Sequence, residues 1–329
     1  MKNELDRDRV SGKGETCREL LGADETRPCP ACGTVGGLVP FREGDLQWVD
    51  LRPDDFRITD AQYGRCWSLH RCRRCGMVTA HPMPPAELLS RFYEAVEDPT
   101  YMAEAAFRRR NFERILKFLM GRLGLRPGRL LDVGAALGVL VEAARQAGWE
   151  AYGIEPSRAM AEAARRRGVP VETARLETWA GPAHAFDVIT LLDVIEHVSE
   201  PDHFLAKALQ HLRPGGVVCI VTPDVASVAA RLLGRRWWHY RPGHVHFFSN
   251  RSLSVLIERF GGQIVARRRY CWFFSLDFLL SRLHGGQPVS WLPEGCRRWV
   301  FPVNLRDSLE VYARWSHPES ITGAGGAFT

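Results

Sequence analysis

Two C-x-x-C pairs, Cys29 with Cys32 and Cys72 with Cys75, stand in the first quarter of the chain, and the segment 237–249, WWHYRPGHVHFFS, sets three histidines among aromatic residues. Each cysteine pair can present two sulfurs from one tight turn, and four thiolates make the closed tetrahedral set of a structural zinc, with no open position for catalysis. The 39 residues between the pairs leave room for an inserted hairpin or loop. Cys66 is a spare ligand candidate, whereas Cys17, Cys219, Cys271 and Cys296 read as tail or core thiols. The histidines are candidates for a base near neutral pH. His244 and His246 lack a nearby acid or cysteine in sequence to complete a metal set.

A second group of residues suits ligand binding. In LLDVGAALGVLVEAA at 130–144 an apolar strand ends at Asp132, and Gly134 and Gly138 frame a tight turn into a helix. Small residues there let a ligand approach the backbone, and the helix N-terminus offers free N–H groups. The spacing D-x-G-x-A-x-G departs from the G-x-G-x-x-G of dinucleotide sites. YGIEPS puts Glu155 at the end of the next strand, FDVITLLDVIEHVSEP puts Asp193 at another strand end just before Glu196 and His197, and LRPGGVVCIVTPD opens a further strand with a Pro-Gly-Gly turn.

The elements that must position these groups follow from the pattern. After residue 129, short apolar runs without alternation take turns with helical stretches, as in a parallel sheet covered on both faces by crossover helices. The run SLEVYAR at 308–314 is expected at the sheet edge. The expected domains are a flexible tail at 1–25, a zinc-binding module at 26–82, a helical connector at 83–126, a ligand-binding domain at 127–315 with a helical insertion at about 271–306, and a tail at 316–329. LQWVDLR at 46–52 reads as a strand of the module.

The chain has 329 residues, 45% of them hydrophobic and 25% charged, which allows one full core plus a smaller unit. A net charge of +6, carried almost wholly by arginine since only Lys2, Lys13, Lys117 and Lys207 are lysines, permits an acidic partner without requiring one. The N-terminus has no apolar signal region, and the longest apolar run, YCWFFSLDFLL, is broken by Asp277. A cytoplasmic, soluble protein with reduced thiols is the expectation.

At the turn after Asp132 the chain resembles the class I S-adenosylmethionine-dependent methyltransferases, whose first motif is an acid followed by G-x-G-x-G. Ala136 stands at the middle glycine position. Glu155, the segment around Asp193 and the Pro-Gly-Gly turn are similar to that family's later motifs, in the same order. The resemblance implies a Rossmann-like, seven-stranded, mostly parallel sheet of the α/β class behind a small N-terminal zinc-binding module. It implies S-adenosyl-L-methionine contacts by Asp132, Gly134, Ala135, Ala136, Gly138, Glu155, Leu176, Leu192 and Asp193. RCRRCGMVTAHPMP resembles the second half of the zinc-binding module found ahead of some such domains, which implies Cys29, Cys32, Cys72 and Cys75 as ligands. His244 matches a histidine these relatives carry after the fifth strand; His244, His197 and Tyr240 are the catalytic candidates, with His239 and His246 behind them. The implied acceptor is a small molecule, a sugar or secondary metabolite methylated on oxygen, nitrogen or carbon, without membrane or nucleic acid. Methylation of RNA is an alternative prompted by the zinc module and the arginines, and a non-catalytic binding scaffold is another.

Overall fold

The computed structural model describes residues 27–46, 51–57, 59, 63–283 and 291–317. The expected tail at 1–25, most of that at 316–329 and the middle of the run 46–52 lie outside the described residues. No helix among the described residues is long and apolar enough to cross a membrane.

The N-terminal part is a small antiparallel sheet. β1 (Leu38–Arg42), β2 (Leu69–Cys72) and β3 (Val78–Ala80) pair in sequence order, with the cysteine knuckles at their ends. Two helices, Ala86–Ala95 and Pro99–Gly121, then lead into the main domain. The second starts cleanly because Asp98 accepts from the Tyr101 N–H and Pro99 occupies the first turn.

The main domain alternates strand and helix. β4 (Arg129–Val133), β5 (Glu150–Glu155), β6 (Val171–Thr173), β7 (Phe186–Leu192) and β8 (Leu212–Pro223) are mutually parallel, with helices Val139–Gln146, Arg158–Arg166 and Pro201–His211 between them. β4, β7 and β8 from Gly216 onward are buried along nearly their whole length, which is why their sequences run apolar without alternation. Ser157 caps one crossover helix by accepting from the Met160 N–H, and that helix buries Met160, Ala161, Ala163 and Ala164 against the sheet. Two hydrophobic clusters, one on each face of the sheet, form the core.

Beyond β8 the chain does two things that its sequence does not announce. β9 (His246–Phe247) leaves the main domain and pairs with β3, so the small sheet has four strands in the order β1-β2-β3-β9. β10 (Gln263–Arg269), following the helix Asn250–Arg259, then returns to the large sheet. The segment 271–306 is not purely helical: β11 (Trp272–Ser275) and β12 (Val300–Val303) pair antiparallel, with helices Leu276–Leu283 and Glu294–Arg297 between them. β13 (Ser308–Trp315) completes the sheet of seven, in the order β10-β13-β8-β7-β4-β5-β6.

The expectation that 308–314 forms the edge is therefore corrected. β13 lies between β8 and β10, antiparallel to both, and it is buried from Ser308 to Ala313 as an internal strand must be. The edge is β10, which alternates exposed and half-buried positions and carries three arginines.

Candidate active site and candidate metal centre

The carboxyl ends of β4, β5 and β7 meet at one cavity of about 350 Å³. Asp132, Gly134, Ala135, Ala136, Glu155, Leu176, Leu192 and Asp193 all line it. Gly138 does not; it caps the helix Val139–Gln146 from behind, at φ +68°, and a Cβ there would meet Val169 Cγ1 at 2.7 Å and Val171 Cγ2 at 2.9 Å. Gly134, at φ +73°, has Val194 Cγ2 2.6 Å from where a Cβ would sit. Both positions need glycine, for different surroundings. Ala136 also takes a left-handed conformation, φ +47°, and so bears the strain that glycine would relieve. Its N–H donates to Glu155 Oε2 at 2.8 Å, which holds the turn in place.

Three acids face this cavity in a desolvated setting. Asp132, 5% exposed, accepts from Thr190 Oγ1 at 2.6 Å; burial nevertheless pushes its carboxyl up to about 7. Glu155 is pushed up to about 7 by burial, against the Ser157 and Ala136 N–H groups that bind its two oxygens. Asp193, at φ +52°, is also raised to about 7 by burial, opposed by the Arg108 and Arg241 charges. Partly ionised carboxylates are costly to keep in such a place, and acids so perturbed around one cavity make it a candidate ligand site.

His197, His239 and His244 line the same cavity. The Gly243 carbonyl accepts from His197 Nδ1 at 2.7 Å, which leaves the imidazole lone pair on Nε2. Tyr93, from the first connector helix, closes the arrangement: its Oη lies 2.5 Å from His197 Nδ1 and donates to the same carbonyl at 2.9 Å. Burial lowers His197 to about 4 and holds His244 well below its usual range, so both rings are neutral at pH 7. The two rings meet edge to face with centroids 4.7 Å apart, and His239 stacks on His244 at 5.8 Å. His239 Nε2 is 3.3 Å from Asp307 Oδ2, which also accepts from Trp237 Nε1 at 3.1 Å. His244 is 4% exposed, and its Nδ1 has no hydrogen-bond partner.

Glu196 sits behind these rings. It is fully buried; Oε2 accepts from Thr222 Oγ1 at 3.0 Å, and Oε1 has no partner. One ligand-type atom each from Glu196, His197 and His244 falls within 4.8 Å of the others. An acid thus does lie beside His244, though the turn after β7 and not the local sequence supplies the residue. Sequence reasoning reached Glu196 only as a neighbour of His197 and did not reach Tyr93. No signal marks Tyr93, because its partner is 104 residues away.

The remaining candidates fall elsewhere. Tyr240 is not brought to the histidines: it is buried away from this cavity, with its ring against Phe247 at 5.0 Å and the Arg42 guanidinium 4.3 Å from its centroid. His246 is a packed residue, with Nε2 3.2 Å from the Ser199 carbonyl and Nδ1 2.9 Å from Thr79 Oγ1, because β9 carries it into the small sheet. Trp237 is fully buried in loop packing. Glu177 lines the cavity with Leu176, whereas Glu172 accepts from Trp179 Nε1. The outer wall is aromatic: Tyr270 and Trp272 meet at 4.8 Å, and Phe274 stacks on Phe278 at 4.8 Å.

The cysteine pairs come together as one cluster. Cys29 and Cys75 sulfurs are 3.5 Å apart and Cys32 and Cys72 sulfurs 3.6 Å, with all four within 4.8 Å of one another. A tetrahedron with bonds of about 2.3 Å has edges of about 3.8 Å, so this donor set fits zinc. Gly33 and Gly76, at φ +70° and +80°, make the two knuckle turns. Burial raises the Cys32 thiol, but hydrogen bonds from Thr34, Cys72 and Cys29 outweigh it and bring the thiol down to about 7. Cys66 is buried outside the cluster.

A strand-turn-helix cradle with acids on successive strand ends, beside buried bases, defines the nucleotide-type cofactor site of a class I methyltransferase fold. Comparison with known proteins agrees: a family profile described as a methyltransferase domain matches residues 102–267, and the chain belongs to that family. The ubiquinone biosynthesis O-methyltransferase of Bradyrhizobium sp. (strain ORS 278) is 31% identical over 129 residues, 37% of this chain and 49% of that protein. Its namesake from Rhodopseudomonas palustris (strain BisB18) is 30% identical over 196 residues, 57% of this chain and 66% of that one. The chain spans about half the length of the first of these relatives. A solved structure, the magnesium protoporphyrin IX methyltransferase of Synechocystis PCC 6803, aligns over 68% of this chain and 90% of its own at 14% identity, with a TM-score of 0.45.

Proposed function

We propose that this protein transfers a methyl group from S-adenosylmethionine to a small, largely apolar acceptor bearing a hydroxyl group. The observation that carries the reading is a cavity whose lining includes Asp132 and Glu155, His197 and His244, and the aromatic side chains Tyr270, Trp272, Phe274 and Phe278. When bound, the cofactor supplies an electrophilic methyl on a sulfonium.

The chain's own residues do the rest. Glu155 offers two carboxylate oxygens to ribose hydroxyls, while the small residues at 134–136 admit the ligand to the backbone, and Asp132 and Asp193 set a negative field that suits a cationic ligand. Leu176 and Leu192 give apolar surface to a flat base. Tyr270, Trp272, Phe274 and Phe278 give the acceptor a face to stack on. His197 Nε2 or His244 Nδ1, neutral at working pH, takes the acceptor's proton as its oxygen attacks. The relatives named O-methyltransferases support an oxygen nucleophile. Zinc held by Cys29, Cys32, Cys72 and Cys75 is structural in this reading, folding a module that contributes Phe56, Arg57 and Tyr63 to the cavity lining.

Calorimetric titration with S-adenosylmethionine, followed by transfer of labelled methyl to a panel of catechols, phenols and sugars, tests the proposal. One-to-one binding with transfer to a hydroxyl compound is expected. Failure to bind the cofactor would sink the enzyme reading, and methylation of RNA alone would replace the acceptor.

A further inference from the structure

A second cavity of about 800 Å³ opens on the other side of the 237–249 loop and shares no lining residue with the first. Its walls come from both parts of the chain. β1, β2 and the second knuckle supply Arg42, Arg71 and Arg73; the helix Val228–Leu233, the first turn of Asn250–Arg259 and the end of β10 supply Arg231, Arg251 and Arg269. Against six guanidiniums stands one carboxylate, Asp224, and Arg269 already pairs with it. None of the other five is paired with a carboxylate among the described residues.

The guanidiniums are braced rather than neutralised. Arg71 lies 3.8 Å from the Phe41 ring centroid and Arg42 lies 4.3 Å from that of Tyr240. Arg42 Nε is buried and has no hydrogen-bond partner. Arg71, Arg73, Arg231 and Arg251 are exposed and solvent screens them, yet like charge gathered on two facing walls favours an anion that bridges them. Planar guanidiniums bind phosphate oxygens two at a time, and five of them exceed what a single carboxylate can use. The six guanidiniums line one cavity, which suits a compact ligand.

We propose that this groove is an anion-binding site, distinct from the methyl-transfer cavity, that takes a phosphorylated small molecule by its diphosphate group. The site does not rest on the methyltransferase reading. It gives the cysteine module a role beyond its own folding, since half of the cationic wall belongs to that module.

The test is calorimetric titration of inorganic diphosphate into the full chain with its metal content measured before and after, at low and high salt, with R71E/R231E as the variant. Saturable one-to-one binding is expected, weakened about tenfold or more by the charge reversals while cofactor affinity and melting temperature hold. If the double variant melts early, R251E serves in its place, because a Glu in the first turn of a helix is favourable there. A nucleoside diphosphate that binds about tenfold tighter than bare diphosphate identifies a nucleotide ester as the ligand; equal affinity identifies the diphosphate alone, and either supports the site. No saturable binding at millimolar diphosphate, equal binding by the variant, or a single-stranded RNA that binds and resists displacement by diphosphate overturns the proposal.

Discussion

Replacing Asp132 by Asn should make the protein more stable at alkaline pH and a poorer binder of its cofactor. The folded chain holds the Asp132 proton up to about pH 7, whereas an ordinary aspartate releases it near 3.8. Between those limits the unfolded chain has released a proton that the native chain keeps, so stability falls as pH rises and the full penalty is present above pH 7. A separation of about three pH units at about 1.36 kcal/mol each puts the ceiling near 4 kcal/mol, with relaxation of the site reducing it to about 1–4 kcal/mol. The group is 5% exposed, so solvent does little to screen it. Asn keeps an oxygen able to accept the Thr190 bond. Urea denaturation at pH 5.0 and 8.5 is the assay. The wild type should lose stability between the two, and D132N should lose less. Calorimetry at pH 8 should show the variant's affinity for S-adenosylmethionine reduced about tenfold or more, the field at the cation having gone. A D132N protein that is less stable than wild type at pH 8.5 would refute the desolvation argument.

Four other outcomes follow from the same geometry. Gly138→Ala should cost about 2–5 kcal/mol of stability from its left-handed φ and its clash with Val169 and Val171, measured by denaturant melts, whereas Gly134→Ala should also weaken cofactor binding because Gly134 lines the cavity. His197→Ala and His244→Ala should leave cofactor affinity within about twofold, and the one that removes the base should lower kcat by about 10²–10⁴ in a labelled-methyl assay; two variants with full turnover would exclude both histidines. With His197 lowered to about 4, turnover that depends on it should fall only as pH drops towards 4, and the acid limb of a kcat profile checks this. Cys75→Ser should release the metal, seen as loss of one zinc per chain by elemental analysis, and lower the melting temperature, because Cys29, Cys72 and Cys75 share the main core cluster with Leu253 and Leu256.

The cofactor end of the site is legible in the sequence because it is built from local turns. Asp132, Gly134 and Ala136 lie within five residues, and Glu155 ends the next strand, so spacing alone carries them to one place. The acceptor end is not legible in that way. Tyr93 reaches His197 across 104 residues, and Glu196 reaches His244 only because β7 and the loop before β9 fold together. Tyr240 shares a segment with His239 and His244 yet lines the other cavity, and nothing in the local sequence separates it from its neighbour His239. β9 spans two residues, too few for any period to register, and β10 hid behind its arginines.

The pairing of β9 with β3 ties the fate of the histidine loop to that of the cysteine hairpin. Ala80 donates to the Val245 carbonyl at 2.8 Å, Trp67 to that of Pro242 at 2.9 Å, and Gly64 to that of Tyr240 at 2.9 Å, so the segment bearing His244 is stitched at three points to residues that the metal site organises. The module is therefore no detachable appendage. A truncation that removed residues 27–80 would leave the large sheet its seven strands and take away the surface against which the loop acquires its shape, and a module grafted from a relative would have to bring a matching edge strand with it. Under the proposed reading, losing the metal from the cysteine cluster would leave the turn after Asp132 in place and free the loop that bears His244.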